Sequence, residues 1–191
     1  MTSAKVLVIL ATGAEEMETV ISVDVLRRAG LEVILAGLEG EEAVVCSRNV
    51  KLVPDTSLAA ARGQGPFSCI LLPGGGPGAA ALAASKEVGA LLEEQEKEGR
   101  MIAAVCAAPT VLAAHNIGKG ANVTSYPAPA FREKLEAGGY KYQDDKLVVV
   151  DGNIVTRRGP GTSFQFALEI VKILVSQEKS KVVASAMLVT F

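Results

Sequence analysis

The 191-residue sequence has no tryptophan, one histidine and three cysteines, and these scarcities exclude several kinds of site. Cys46, Cys69 and Cys106 fit neither a disulfide framework nor a CxxC metal site, and their use is typical of a reducing intracellular compartment. No Walker motif or complete dinucleotide fingerprint is present. The sequence therefore predicts no metal and no cofactor.

The sequence also lacks a large excess of either charge and long apolar runs. The net charge is −2, so no global field attracts nucleic acid or an anionic membrane, and neither is predicted as a partner. No stretch approaches the ~18 apolar residues of a membrane span. The first apolar run, residues 6–10, is too short for a secretory signal. We expect a soluble, cytoplasmic protein without a transmembrane segment.

Apolar residues make up 49% of the chain and are mainly Ala, Val, Leu and Ile, which suits parallel strands covered by helices on both faces. Strand-like and helix-like segments alternate, which predicts one domain, residues 1–191, with a three-layer α/β/α sandwich around a mainly parallel sheet. Asp151 and Gly152, between two apolar runs, predict a β-hairpin. The main expected strands are 5–10, 31–38, 69–72 and 101–105, and shorter strands are expected at 44–46, 50–53 and 123–126. The expected helices are 15–29, one or two within 79–99, 131–137, 163–176 and 182–189.

The most informative residue is Cys106, which lies where an apolar strand-like run ends and a helix-like run begins. Its small neighbours, Ala104 to Ala108, resemble a nucleophile elbow with alanine in place of both glycines. A helix N-terminus favours a thiolate, the reactive form of cysteine. A buried structural cysteine is the alternative, and the local sequence leaves both open.

Three chemistry-bearing segments should meet at the carboxyl ends of the strands, where open α/β sheets bind ligands. They are residues 11–18, residues 73–76 and Cys106. The run Gly74-Gly75-Gly76 can present backbone N–H groups to an oxyanion, although a loop that requires positive φ explains the glycines equally well.

Glu18 is the predicted partner of the thiol. It lies one turn into a helix whose apolar residues surround most of the circumference, which indicates burial on more than one side. The sheet covers one side, and a partner subunit is a candidate to cover another. Such a carboxyl should have a raised pKa and donate a hydrogen bond to a thiolate. His115 lies roughly 13 Å beyond Cys106 on the same predicted helix, so a structural or surface role is expected for it.

The other two cysteines have different expected environments. Cys69 lies in an apolar run and should belong to the core. Cys46 lies in a short peripheral strand, where exposure would make it a second, minor candidate for redox modification.

Four motifs, GAEEMET (13–19), LPGG (72–75), IAAVCAAPT (102–110) and RGPGTSF (158–164), closely resemble the Parkinsonism-associated deglycases of animals, within the PfpI-like superfamily. The resemblance covers residues 4–178 and implies a flavodoxin-like homodimer. It implies a glutathione-independent glyoxalase that converts methylglyoxal to lactate and removes early glycation adducts from proteins and nucleotides. It also implies oxidative-stress sensing, redox-regulated chaperone action, neuroprotection, and cytoplasmic, nuclear and mitochondrial pools.

The same resemblance assigns roles to individual residues. Cys106 matches the nucleophile, which oxidises to a sulfinic acid, and Glu18 matches its protonated partner. Amides of Gly75 and Ala107 match the oxyanion-binding groups, and we add Gly74 from the same glycine run. Arg28 and Arg48 match basic residues near the dimer interface and the mouth of the active site.

Two positions depart from the family pattern. Tyr126 stands where a histidine is often found, so another group must carry any proton transfer assigned to it, because a phenol is a poor base at neutral pH. Val53 stands in place of a peripheral cysteine.

Three functions remain open at this point. The first is a cysteine-dependent glyoxalase and deglycase that acts on small aldehydes and glycated molecules. The second is a non-catalytic redox sensor and redox-regulated chaperone that uses the same cysteine. The third is a scaffold with an inert cysteine.

Overall fold

Strands and helices alternate along the chain in the computed structural model, which describes residues 4–190. The strands are β1 (Lys5–Leu10), β2 (Glu32–Gly37), β3 (Val44–Val45), β4 (Lys51–Leu52), β5 (Thr56–Ser57), β6 (Cys69–Leu72), β7 (Met101–Val105), β8 (Asn122–Val123), β9 (Lys141–Tyr142), β10 (Val148–Asp151) and β11 (Ile154–Arg157). The helices are α1 (Glu16–Arg28), α2 (Leu58–Arg62), α3 (Gly76–Ala84), α4 (Lys86–Lys97), α5 (Pro109–Ala114), α6 (Pro129–Ala137), α7 (Ser163–Leu174) and α8 (Gln177–Ala186).

Seven strands form the central sheet in the order β10-β11-β7-β6-β1-β2-β5. Every neighbouring pair is parallel except β10 and β11, which form the antiparallel hairpin predicted around Asp151 and Gly152. Gly152 has a φ of 59°, the left-handed conformation that such tight turns require. The predicted mainly parallel α/β/α sandwich is confirmed.

The sheet separates two apolar cores because successive side chains of each buried strand point to opposite faces. On β1, Val6, Val8 and Leu10 face the layer that contains α1, α7 and α8, whereas Leu7 and Ile9 face the layer that contains α2 to α5. All five side chains are fully buried. Each contributes about 1.5–3 kcal/mol of burial free energy, which fixes the register of the strand that leads to the site.

The structure refines several predicted boundaries. The segment 79–99 is two helices separated at Ser85, whose Oγ accepts a hydrogen bond from the amide of Val88 and caps α4. β3 and β4 form a separate two-stranded hairpin. The strand predicted over 123–126 is wrong beyond Val123, because β8 ends at that residue, where it pairs with β9. The expected helix 131–137 lies within α6, and the expected helix 182–189 overlaps α8. Both observed helices start earlier than expected.

The organisation of residues 1–191 into one domain stays a prediction. Residues 1–3 and 191 of that predicted domain lie outside the described part of the chain. Within residues 4–190, no helix is long and apolar enough to cross a membrane.

The order β7-β6-β1 places three neighbouring strands at the centre of the sheet. Because all three are parallel, their carboxyl ends lie at the same edge. The loops that follow them contain Cys106, the glycine run from Gly74, and the start of α1. A hydrogen bond from the Glu15 amide to the Gly74 carbonyl, at 2.9 Å, joins two of these segments. A Cβ added to Gly74 would lie 2.5 Å from the Cys106 Cβ, so the third segment meets them as predicted.

Candidate active site

Cys106 lies directly after β7 and three residues before α5, on a strained turn. Its φ is 62°, a conformation that costs a residue with a Cβ about 1–3 kcal/mol. Two backbone hydrogen bonds hold it there: its N–H donates to the Arg157 carbonyl and its own carbonyl accepts from the Tyr126 amide, both at 2.8 Å. The following residues, Ala107 and Ala108, are buried, so only small side chains fit at these positions of the turn. The strained strand-to-helix turn predicted from the sequence is therefore present.

Glu18 projects from the first turn of α1 toward this cysteine and is fully buried. Its Oε2 accepts a hydrogen bond from the Gly74 amide at 2.7 Å, and its carboxyl group also interacts with the Cys106 thiol. Its Oε1 is buried and has no hydrogen-bond partner within residues 4–190. A Cβ on Gly74 would lie 2.5 Å from the Cys106 Cβ and 2.6 Å from Glu18 Oε2, so glycine is required for this close approach.

Burial raises the pKa of Glu18 from 4.5 to about 7, although hydrogen bonds from Gly74 and Cys106 lower it and the charge of Glu15 raises it further. Desolvation dominates because a carboxylate in an apolar interior loses more hydration than two hydrogen bonds restore. Glu18 therefore keeps its proton up to a higher pH than an ordinary glutamate does. This is the environment that the sequence predicted for it.

The Cys106 thiol is subject to opposing effects. Burial and the negative charge of Glu18 raise its pKa to about 12, because they outweigh the amide N–H groups of Gly75 and Ala107, which lower it. The expectation that the helix N-terminus favours the thiolate was therefore wrong for this thiol, because burial and a neighbouring carboxylate outweigh the backbone amides. Two buried anions in contact are unfavourable, so the pair shares one proton. When the proton is on Glu18, the repulsion between the two groups is absent. The Glu18 O–H can then donate a hydrogen bond to the sulfur, in addition to the amides of Gly75 and Ala107.

The glycine loop after β6 divides its donors between the two members of this pair. The Gly75 amide, with that of Ala107, interacts with the thiol. Gly75 has a φ of 85°, and a Cβ there would lie 2.3 Å from the Gly13 carbonyl oxygen. The assignment of Gly74 to oxyanion binding was wrong, because its N–H is already bound to Glu18 Oε2.

Cys106 opens into a cavity of about 480 Å³. The cavity is lined by Glu15, Ser47, Arg48, Gly75, Gly76, Pro77, Cys106, Ala107, Tyr126, Phe131 and Pro160. Arg48 therefore lies where the resemblance placed it, at the cavity. Sequence reasoning missed Ser47, Phe131 and Pro160, and the RGPGTSF motif was the one available signal for the last of these.

A small polar cluster borders the charged side of the cavity. The Ser47 hydroxyl lies 2.7 Å from Glu15 Oε2 and 2.8 Å from Glu16 Oε2, and the Arg48 amide donates to Glu16 Oε1 at 2.8 Å. Burial raises the pKa of Glu16, but hydrogen bonds from its own amide, Ser47 and Arg48 outweigh burial and lower that pKa below its usual value. Glu16 is thus an anion that ties the β3–β4 turn to the start of α1.

Arg28 does not line the cavity in a single chain, which corrects its assignment to substrate binding there. It lies at the far end of α1, about 15 Å along the helix axis from Glu18. Its Nε donates to both carboxylate oxygens of Asp24, at 3.0 and 3.1 Å. A contribution of Arg28 to a partner subunit's site stays a prediction.

Cys46 is 3% exposed, so the exposure on which its candidate redox role depended is absent. The β3–β4 hairpin packs over the start of α1 through hydrogen bonds from Gly13 to Val45 and from Ser47 to Ala14, both at 2.8 Å. Burial and the charges of Glu16 and Glu15 raise the pKa of Cys46 to about 11. Both effects disfavour the thiolate that oxidation requires.

Cys69 and His115 take no part in the cavity. Cys69 is fully buried on β6, as predicted. The His115 ring lies against Gly89, and its Nε2 is 3.2 Å from the Leu82 carbonyl oxygen. The predicted structural role of the histidine is therefore confirmed, and the site has no imidazole base from it.

Comparisons with known proteins show what this chain is similar to. The family model described as "DJ-1/PfpI family" matches residues 4–173. The Parkinson disease protein 7 homolog of Danio rerio is 52% identical over 179 residues, 93% of each chain. The glutathione-independent glyoxalase DJR-1.2 of Caenorhabditis elegans is 42% identical over 167 residues, 87% of this chain and 86% of that one. The crystal structure of Drosophila melanogaster DJ-1beta superposes with a TM-score of 0.94 at 52% identity and covers 100% of both chains.

Proposed function

Since this chain belongs to the DJ-1/PfpI family, we propose that it is a cysteine-dependent, glutathione-independent glyoxalase that converts methylglyoxal to lactate. The observation that carries the proposal is the buried contact between the Glu18 carboxyl and the Cys106 thiol at the base of an open cavity. A relative 42% identical to this chain is named as a glutathione-independent glyoxalase, which supports the same activity here.

The first step is the attack of the Cys106 sulfur on the aldehyde carbon of methylglyoxal. A C–S bond forms, the C=O π bond breaks, and the negative charge moves from sulfur to the former aldehyde oxygen. The amides of Gly75 and Ala107, which interact with the sulfur in the free protein, are next to the new oxyanion. Preorganised backbone donors of this kind stabilise an oxyanion without reorganisation during the reaction.

Glu18 moves the protons in the steps that follow. Its carboxyl proton neutralises the oxyanion and gives a hemithioacetal, and the resulting carboxylate removes the proton from the former aldehyde carbon. Glu18 passes this proton to the ketone oxygen, and an enediol forms. The hydroxyl group on the sulfur-bound carbon then loses its proton and becomes a C=O group, while a proton is added to the adjacent carbon, which gives a thioester of lactate. Water then cleaves the thioester, so methylglyoxal and one water yield one lactate without an external oxidant. A carboxyl with a pKa of about 7 suits a group that both donates and accepts a proton near neutral pH.

We extend the proposal to early glycation adducts. In such an adduct, the former aldehyde carbon of methylglyoxal is bound to a cysteine, lysine or arginine side chain. This carbon has the same oxidation level as the free aldehyde. The cavity is open to solvent beside Arg48 and Tyr126, both exposed, so an adduct on a protein side chain can approach Cys106 from outside. As the C–S bond to Cys106 forms, the bond from the adduct carbon to the side-chain nitrogen or sulfur breaks, and the side chain leaves with a proton supplied by Glu18. The same hemithioacetal then results, and the same proton transfers at Glu18 follow.

Lactate formation tests the proposal. Wild type and Cys106→Ser are compared at equal concentration with methylglyoxal, and lactate is quantified by chiral chromatography. We expect the serine variant to lose at least about 100-fold in rate, because an alcohol is a far weaker nucleophile than a thiolate. Equal rates in the two proteins would overturn the proposal. His115→Asn is the matched control and should retain the rate.

A redox-sensing role uses the same residues and remains the second candidate. An oxidised sulfur is an anion that can accept hydrogen bonds from Gly75, Ala107 and the protonated Glu18, the groups that surround the thiol. Peptide mass spectrometry after mild peroxide should find sulfinate at Cys106 in the wild type. A Cys106 that resists peroxide would remove this role, including redox-regulated chaperone action, while leaving turnover unaffected.

We further propose that the protein is a homodimer through the outer face of α1. Met17 and Val20 on that face, and Val50 and Val53 on the neighbouring hairpin, are 47–69% exposed. They lie beside a groove of about 330 Å³ lined by Thr19, Val20, Val23, Asp24, Arg27, Leu35, Leu52 and Val53. Light scattering should give twice the chain mass for wild type and a smaller mass for Val20→Lys. A wild-type monomer at micromolar concentration would contradict the proposal.

A further inference from the structure

We infer that Tyr126 and Phe131 make this site selective for 2-oxoaldehydes with an aromatic or bulky apolar substituent, so that phenylglyoxal is a better substrate than methylglyoxal. This inference rests on the proposed glyoxalase function and names its substrate class. The two residues are called the aromatic wall below.

The size of the cavity is the first argument. Its volume is about 480 Å³, and cavities of about 300–1,000 Å³ are typical of sites that bind ligands much larger than methylglyoxal. Methylglyoxal carries a single methyl group beyond its two carbonyl carbons, so it leaves most of this space unfilled. A substrate that fills the space gains the contacts and the apolar burial that methylglyoxal cannot make.

The composition of the lining is the second argument. Tyr126 and Phe131 both come from one segment, which runs from the loop after β8 into the first turn of α6. The charged lining residues, Glu15 and Arg48, come from other elements, the start of α1 and the β3–β4 turn. A planar apolar substituent can therefore meet two aromatic rings supplied by one segment, whereas the charged lining residues come from other segments, and aromatic pairs stabilise such contacts.

The third argument is that the aromatic wall is fixed relative to the nucleophile. The Tyr126 amide donates to the carbonyl of Cys106 itself at 2.8 Å, the Ala128 amide donates to the Tyr126 carbonyl at 2.8 Å, and the Phe131 amide donates to the Ala128 carbonyl at 3.0 Å. The Tyr126 ring lies against Gly159, where an added Cβ would be 3.4 Å from the ring. A preformed wall loses little entropy when a substrate binds.

Exposure of the two rings supports the same conclusion. Tyr126 is 47% exposed although it borders a cavity, and Phe131 is half-buried against the core. A substituent that stacks on Tyr126 removes apolar ring surface from water. The Tyr126 hydroxyl is not needed for this effect, so phenylalanine at position 126 should preserve it.

The test measures kcat/KM for phenylglyoxal and methylglyoxal in wild type, Tyr126→Ala and Tyr126→Phe, with mandelate and lactate as the products. In each reaction one water is consumed, the aldehyde carbon is oxidised and the ketone carbon is reduced. Initial rates are taken before either aldehyde modifies arginines, and intact-mass spectra of the recovered protein check this condition.

We expect the wild type to prefer phenylglyoxal, and Tyr126→Ala to lower the phenylglyoxal-to-methylglyoxal ratio about tenfold, the size of one lost aromatic contact. Tyr126→Phe should keep the wild-type ratio, and Phe131→Leu should lower it by a smaller factor. A wild type that prefers methylglyoxal, or a ratio that does not change in Tyr126→Ala, overturns the inference while glyoxalase activity stands.

A second readout separates this inference from the proposed function. Protection of Cys106 from iodoacetamide by each aldehyde reports reversible capture at sulfur without turnover. If the wild type converts neither aldehyde, the proposed function fails. Stronger protection by phenylglyoxal that is lost in Tyr126→Ala would then still support the aromatic wall, and equal protection by both aldehydes would overturn it.

Discussion

Replacing Glu18 by glutamine should make the stability of the protein less dependent on pH. The folded protein holds the Glu18 proton more tightly than the unfolded chain, because burial raises the pKa from 4.5 to about 7. The stabilisation by this proton is fully present below about pH 4.5 and is lost as the pH rises through about 7. At about 1.4 kcal/mol for each pH unit, the loss in the wild type is about 3 kcal/mol.

Glutamine keeps the size of the side chain and an oxygen that can accept the Gly74 N–H, but it carries no charge at any pH. Relative to the wild type, Glu18→Gln should therefore gain about 3 kcal/mol in the free energy of unfolding between pH 4.5 and pH 8. Urea unfolding at both pH values measures this difference. One fixed protein concentration is used, since the proposed dimer would make stability depend on concentration.

Glu16→Gln is the matched control, because the pKa of Glu16 is lowered and the sign reverses. Its stabilisation is present above the unfolded pKa and is lost as the pH falls, so this variant should lose stability relative to the wild type mainly at high pH. If Glu18→Gln differed from the wild type by the same amount at pH 4.5 and pH 8, the argument that burial keeps the Glu18 carboxyl protonated would be refuted.

Other predictions concern the backbone and the remaining thiols. Gly75→Ala should destabilise the fold by about 3 kcal/mol or more, because a Cβ would lie 2.3 Å from a carbonyl oxygen, whereas Gly76→Ala, with open space around its Cβ, should stay within about 0.5 kcal/mol of wild type in urea unfolding. Cys106→Gly should be about 1 kcal/mol more stable than Cys106→Ala, since its φ of 62° penalises a Cβ; the usual order, with alanine more stable, would contradict the strain. Cys46 and Cys69 should resist iodoacetamide at pH 8 in the folded protein, as peptide mapping would show; rapid alkylation of Cys46 would contradict its burial.

Much of the fold could be predicted because its signals are local. The Asp151-Gly152 pair specifies a tight hairpin turn, and the short apolar runs at β1, β6 and β7 specify buried parallel strands. Strand order then brings the three loops together, since parallel neighbours end at the same edge. The buried, raised-pKa environment of Glu18 could be predicted for the same reason: a carboxyl on the first turn of α1 faces that edge.

The rest depends on contacts between segments that are distant in the sequence. Cys46 is buried because the β3–β4 hairpin packs over the start of α1, and no pattern within the hairpin specifies this. Gly74 is unavailable to an oxyanion because its amide meets the Glu18 side chain, 56 positions earlier in the chain. Phe131 reaches the cavity through the placement of α6, which depends on packing rather than on a motif.

The most direct test of the central claim is to observe the bond between substrate carbon and the Cys106 sulfur. Methylglyoxal labelled with ¹³C at the aldehyde carbon is mixed with the wild type, and ¹³C NMR distinguishes the free hydrated aldehyde, a carbon bound to sulfur, and the carboxylate of lactate. The account predicts a sulfur-bound signal that converts to lactate in the wild type, persists longer in Glu18→Gln, and is absent in Cys106→Ser. Lactate formed at the full rate in Cys106→Ser, with no sulfur-bound signal, would contradict it.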